Sequence, residues 1–186
     1  MKKIFNANNI FFTANTHFFH ENIIKYTNRP FQNYEDVNDY MVYSWNSIVG
    51  KDDIVFHLAD LIFRHGRKQK DLVESLNGNI HLILGNHDKR VSWISSIKNI
   101  KSINNYLEIK VRDNNIKNII LFHYPVKEWN KKYHGSWHLY GHCHGTLRNT
   151  GPKSLDCGVD TSEKYGSLPY APISYLQIKN ALQYDT

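Results

Sequence analysis

The chain has 186 residues, 41% of them hydrophobic and 22% charged, and a formal net charge of +6, with an isoelectric point near 9.2. These values fit one compact globular domain spanning residues 1–186, and no internal repeat, linker or low-complexity tract divides it. No apolar run approaches the roughly 20 residues needed to cross a bilayer, and the N-terminus lacks the long apolar core of a signal peptide, so a cytoplasmic protein without a membrane partner is expected.

In chain order, Ile10 to Ala14 reads as a buried strand that stops at Asn15-Thr16-His17. Tyr34 to Val49 carries Val37, Tyr40, Met41, Ser44, Trp45 and Ile48 at helical spacing, with Gly50 as its stop. Asp53 to Leu58 predicts a strand that delivers Asp60. Lys68 to Leu76 predicts a helix closed by Asn77-Gly78. Ile80 to Leu84 predicts a strand running into Gly85-Asn86-His87-Asp88. The second half leans towards β structure, with strands expected at Tyr106–Val111, Asn118–Phe122, Trp137–Tyr140, Leu155–Cys157 and Ile173–Ile178. Asp113-Asn114-Asn115 marks a hairpin turn between the first two of these. The whole pattern is α/β.

Five polar clusters follow apolar runs directly: Asn15-Thr16-His17, Asp60, Gly85-Asn86-His87-Asp88, His123 and Gly141-His142-Cys143-His144. Loops at the carboxyl ends of strands are where open α/β sheets bind ligands. The eleven histidines supply the commonest metal-binding side chain. Imidazoles with a carboxylate and carboxamides suit zinc, manganese, iron or nickel better than calcium or magnesium. In an extended strand, residues two apart share a face, so His142 with His144, and Asn15 with His17, are expected to reach one site. The basic charge favours an anionic ligand. No run of consecutive basic residues marks a nucleic-acid-binding arm.

The ordered set Asn15-Thr16-His17, Leu58-Ala59-Asp60, Gly85-Asn86-His87-Asp88, Phe122-His123-Tyr124-Pro125 and Gly141-His142-Cys143-His144-Gly145 resembles the motifs of the calcineurin-like metallophosphoesterase family. The resemblance implies a four-layer α-β-β-α sandwich with a dinuclear metal site at the carboxyl ends of the strands. It implies that Asp60 bridges two divalent ions, one held also by Asn15, His17 and His144, the other by Asn86, His123 and His142. Manganese is the first expectation, with zinc, iron(II) or nickel as alternatives. It further implies that His87 donates a proton to the leaving oxygen and that Asp88 orients His87, the competing reading of Asp88 being a turn or helix N-cap after the strand.

Two positions depart from the family pattern. Asn15 stands where the family has aspartate, which removes a charge from the first metal's shell. Three origins are open: a substitution introduced to silence the enzyme, placed first, a natural variant that uses another metal, and a degenerate homologue. Ala59 replaces a glycine before Asp60, and a slightly altered turn is expected there. Outside the motifs, His20, Arg64 and Arg148 are candidate substrate-binding residues, and Tyr124 is read as a packed aromatic. The segments 18–32 and 127–135 are candidate caps over the site. The expected activity is phosphodiester hydrolysis on nucleotides, cyclic nucleotides or short oligonucleotides. A phosphomonoesterase or a silent nucleotide- or phosphate-binding homologue is the alternative. The expected partner is a phosphorylated small molecule or nucleotide, with nucleic acid open and no oligomeric state assigned.

Overall fold

A computed structural model describes residues 4–147 and 151–184. Among these, strands β1 (Ile4–Asn6), β6 (Tyr106–Arg112), β7 (Ile116–Phe122), β8 (Trp137–Tyr140) and β9 (Ser154–Asp156) form one sheet in the order β1-β6-β7-β8-β9. Strands β2 (Ile10–Thr13), β3 (Ile54–Leu58), β4 (Asn79–Ile83), β5 (Ile100–Asn104) and β10 (Ile173–Ser174) form the other, in the order β10-β2-β3-β4-β5. β2 to β5 pair in parallel, and each crossover carries helix: α1 (Glu21–Tyr26) and α2 (Tyr34–Ile48), then α3 (Arg67–Ser75), then α4 (Val91–Ile94). In the other sheet β6 and β7 make an antiparallel hairpin, while β7, β8 and β9 run parallel.

Parallel strands buried on both faces need a core on each side. Phe12, Phe56, Leu58 and Ile83 of one sheet meet Ile109, Val111, Ile119, Leu121 and Leu139 of the other in the core between the sheets. The opposite face of the β2–β5 sheet, through Val55, Ile80 and Leu82, packs on Val37, Met41 and Trp45 of α2 and on Val73 of α3. Those α2 residues recur at four-residue spacing, as one face of an amphipathic helix requires. Asn33 caps the helix by accepting the Asp36 amide at 2.8 Å, and the Trp45 indole donates to Asn77 O. The result is the expected α-β-β-α sandwich flanked by helices.

The strand expected at Ile173–Ile178 is two residues long and then becomes helix α5 (Tyr175–Tyr184). Ser174 and Gln177 form a capping box: the Ser174 amide donates to Gln177 Oε1 at 2.8 Å, and the Gln177 amide donates to Ser174 Oγ at 3.3 Å. Tyr175, Ile178 and Leu182 then bury one helical face in the core between the sheets. β1, β5 and α1 were not expected from the sequence. No helix among the described residues is long and apolar enough to cross a membrane.

Candidate metal centre

The five polar clusters converge beyond the ends of β2, β3, β4, β7 and β8. Their chain is not extended there. Asn15, His17, Ala59, Asp60, His142 and His144 have φ of 57°, 49°, 80°, 56°, 66° and 48°, the left-handed region that costs a residue with a Cβ about 1–2 kcal/mol. Strand alternation therefore does not bring Asn15 with His17, or His142 with His144, to one site; paired left-handed turns do. Backbone bonds hold these turns: Asn15 N–H donates to Ala59 O at 3.0 Å, His17 N–H to Asp60 O at 2.9 Å, and Gly141 N–H to His123 O at 3.0 Å. Two motif glycines allow the close approach. A Cβ on Gly85 would lie 2.6 Å from the Ala59 methyl and 2.7 Å from Asp60 Oδ1, and one on Gly141 would lie 2.6 Å from the Ala14 methyl.

Asp60 is 2% exposed and stands at the middle of the cluster. Its Oδ1 accepts the His87 amide at 3.1 Å. Its Oδ2 lies 3.6 Å from His17 Nε2 and 3.5 Å from His123 Nε2. One oxygen thus faces both halves of the site. On one side the rings of His17 and His144 stack at 5.3 Å. On the other, the His123 and His142 rings lie 5.0 Å apart, and Asn86 Oδ1 is 3.0 Å from His123 Nε2.

The donor set fits a divalent cation on proton accounting. His123 Nδ1 faces the carbonyl oxygen of Leu58 at 3.0 Å, which has only lone pairs, so Nδ1 carries the proton. In the neutral ring Nε2 then presents a lone pair to Asn86 Oδ1 and Asp60 Oδ2, two further acceptors. Asp60, His123 and His142 offer ligand atoms within 4.8 Å of one another. Likewise His144 Nδ1 donates to the Asp160 carboxylate at 2.7 Å, which leaves Nε2 as the ring's other nitrogen, the arrangement a carboxylate–imidazole metal ligand would have. His17 Nε2 is buried with no hydrogen-bond partner. Burial first, and then the surrounding positive groups, push the His17 pKa far below the ordinary imidazole range. Burial also lowers His142. Neutral imidazoles are the form that binds metal.

The other expected residues divide. His87 is exposed, with its ring 5.4 Å from that of His17. His20 reaches the same edge: its ring is 5.4 Å from His17 and stacks at 4.1 Å on the half-exposed Phe63. Asp88 does not bond the His87 imidazole. Its Oδ2 accepts the amides of Asp60 at 2.8 Å and Gly85 at 2.9 Å, and its Oδ1 accepts that of Leu61 at 3.0 Å. It is not the expected helix N-cap either, since Arg90 directly precedes α4; two of its three amides come from the loop after β3. Arg64 is exposed and stands over the Tyr34 ring at 5.9 Å, turned to that aromatic ring. Arg148 lies outside the described residues. Tyr124 is on the site's rim rather than packed away: it is 37% exposed, its ring is 4.8 Å from His142, and its hydroxyl is 3.5 Å from Asn86 Oδ1.

Two buried residues that sequence reasoning missed brace the His17 side. Arg29, 3% exposed, chelates Asp160 through Nε at 2.8 Å and Nη2 at 3.0 Å. The same guanidinium donates to the carbonyls of Asn15 at 2.8 Å and Thr16 at 3.1 Å. Burial alone would raise the Asp160 carboxyl, but the bonds from His144 and Arg29 hold it below the usual range.

No protein-family model matches the chain. It is 33% identical over 173 residues to the uncharacterized protein MJ1445 of Methanocaldococcus jannaschii, covering 89% of this chain and 86% of that one. It is 25% identical over 180 residues to the gene 66 protein of Mycobacterium phage D29, covering 82% and 88%. Among solved structures, the protein of unknown function AQ665 from Aquifex aeolicus superposes with a TM-score of 0.73 at 20% identity, over 92% of this chain and 98% of that one. This last likeness establishes a shared fold.

Proposed function

We propose, for a chain that belongs to the same family as MJ1445 and has the calcineurin-like metallophosphoesterase fold and motif set, that it is a dinuclear metal-dependent phosphodiesterase acting on nucleotides, cyclic nucleotides or short oligonucleotides. The observation that supports this best is Asp60 Oδ2, an unshared oxygen lying 3.6 Å from His17 Nε2 and 3.5 Å from His123 Nε2. Asn15, His17 and His144 would hold one ion, Asn86, His123 and His142 the other, with Asp60 shared and manganese the first candidate. Such a pair of ions, when bound, activates water and neutralises charge on the phosphoryl oxygens.

The protein's own groups do the rest. The His87 imidazole, exposed beside His17, donates a proton to the departing oxygen, while its amide fixes Asp60 Oδ1. Tyr124 on one rim, and Phe63 with His20 on the other, offer flat faces to bases flanking the phosphate. The +6 net charge draws the anionic substrate in. Assay of bis-p-nitrophenyl phosphate with manganese, with and without chelator, tests the reading. Hydrolysis should vanish with chelator and fall roughly 10²–10⁴-fold in His87→Ala. Chelator-resistant hydrolysis would sink it.

The neutral Asn15 motivates a second reading, a silent nucleotide- or phosphate-binding homologue. Under it, metal-dependent ligand binding persists without turnover, and Asn15→Asp brings no turnover.

A further inference from the structure

We propose that Arg29 and Asp160 are positioning residues that make the Asn15–His17–His144 half of the centre one preassembled pocket, separable from the Asn86–His123–His142 half. The inference rests on the dinuclear reading above and extends it to residues that lie in none of the five motifs. Three observations carry it. Asp160 Oδ2 is 2.7 Å from His144 Nδ1, which fixes both the proton and the ring rotation so that Nε2 is the free nitrogen. Arg29 grips that carboxylate with two nitrogens and, with the same guanidinium, binds the carbonyls of Asn15 and Thr16. A single buried cation therefore ties the loop after β2 to the segment after β9, 131 residues along the chain, and through Asp160 to His144 in the loop after β8.

The bracing is one-sided. On the other half, His123 is oriented by the Leu58 carbonyl, and no guanidinium or second carboxylate contacts it among the described residues. Arg29 is suited to the task because a planar fork fixes a carboxylate and accepts no rotation, which a lysine would not provide. The two left-handed residues it holds beside, Asn15 and His17, need such restraint, since strained backbone persists only where its surroundings over-determine it. The arrangement also compensates in geometry for the carboxylate missing at Asn15.

Titration of the metal-free full chain with manganese, followed calorimetrically and by the electron spin resonance of the coupled ion pair, tests the proposal without any substrate. Wild type should bind two ions. Asp160→Asn should weaken one of them by about 10–100-fold, the usual effect of losing a carboxylate behind a metal-bound histidine, leave the other within about twofold, and lose the coupled-pair signal. Because Asp160→Asn strands the Arg29 charge, a second variant, Arg29→Met with Asp160→Asn, removes both charges together. The proposal requires this folded double variant to remain weak at the same ion. Recovery of two tight ions in it would reduce the pair to a buried salt bridge and overturn the proposal, as would unchanged affinities in Asp160→Asn. Arg29→Lys, which keeps the charge, should lie between wild type and Asp160→Asn. A wild-type chain that binds no divalent ion would instead refute the dinuclear reading itself.

Discussion

Replacing Asp88 by asparagine separates two roles for one residue. As a partner of His87, Asp88 would tune a proton donor, and its loss would shift the pH dependence of turnover while sparing the fold. As the acceptor of three amides, at 2.8, 3.0 and 2.9 Å, it holds the backbone of Asp60 and Leu61 in place, and its loss should appear as instability. An asparagine retains one acceptor oxygen and turns an NH2 towards at least one backbone N–H. A buried amide left unsatisfied costs about 1–3 kcal/mol, and the bonds that remain lose roughly 1 kcal/mol each when the acceptor is no longer charged. Against this, the variant avoids burying a carboxylate whose pKa burial pushes up despite the three amides. The net is about 2–4 kcal/mol, or a fall in Tm of roughly 5–15 °C for a chain of this size. Thermal unfolding by circular dichroism, paired with a pH–rate profile, measures both. A Tm within a degree or so of wild type with a displaced pH profile would refute the backbone role.

Three further outcomes follow from other parts of the molecule. Burial pushes His57 down to about 3 and His138 down to about 4 from the ordinary 6.5. Both are neutral in the fold and take up a proton on unfolding, so each removes stability as pH falls from about 6.5 towards its folded value, at up to about 1.4 kcal/mol per pH unit. Asp156, pushed up to about 6 by burial, opposes this between about 4 and 6, so His57→Gln in chelator should flatten the acid side of the urea-unfolding profile; a profile parallel to wild type would contradict the assignment. Ala59→Gly should raise Tm by about 2–4 °C, because φ of 80° costs alanine roughly 1 kcal/mol more than glycine; a lower Tm would show that the methyl packs usefully against Gly85. Tyr124→Ala should raise KM for a nucleotide diester about tenfold, from lost stacking of about 1–3 kcal/mol, with kcat within about twofold; the reverse pattern would place Tyr124 in the chemistry.

The sandwich and the central cluster were legible because their signals are local. β-branched and aromatic runs at 10–14, 53–58 and 80–84 end in polar clusters, and the helical spacing of Val37, Met41 and Trp45 marks the buried face of α2. Expectation and fold part where a local pattern had two readings. Ile173 to Ile178 is a short, mostly apolar run like a strand, yet Ser174 and Gln177 have the spacing of a capping box, and Tyr175, Ile178 and Leu182 that of a helix face. Extended backbone is likewise the expectation for Asn15 with His17 and for His142 with His144, whereas the motif residues occupy left-handed conformations imposed by neighbouring strands. Arg29 and Asp160 were invisible for a different reason. Their partnership is a contact between residues 131 apart, and neither has a neighbour in sequence that announces it.

Asn15 connects these strands of argument. Its backbone carbonyl is bound by Arg29, and its Oδ1 accepts the amide of His142 at 3.0 Å. It therefore links the Arg29–Asp160 brace on one side to a ligand of the opposite half on the other. Its left-handed φ is tolerated by asparagine and aspartate better than by other residues with a Cβ. What the environment does not satisfy is the amide nitrogen: Asn15 Nδ2 is buried without an acceptor. A buried N–H with no partner carries a desolvation cost that a metal-facing carboxylate oxygen would not. The position thus satisfies one acceptor, for the His142 amide, and leaves its second polar atom unpaired. Under the dinuclear reading proposed above, an aspartate would turn that second atom into an acceptor for a cation; asparagine keeps the structural acceptor alone, so the half beside His17 and His144 would have Asp60 as its only charged ligand.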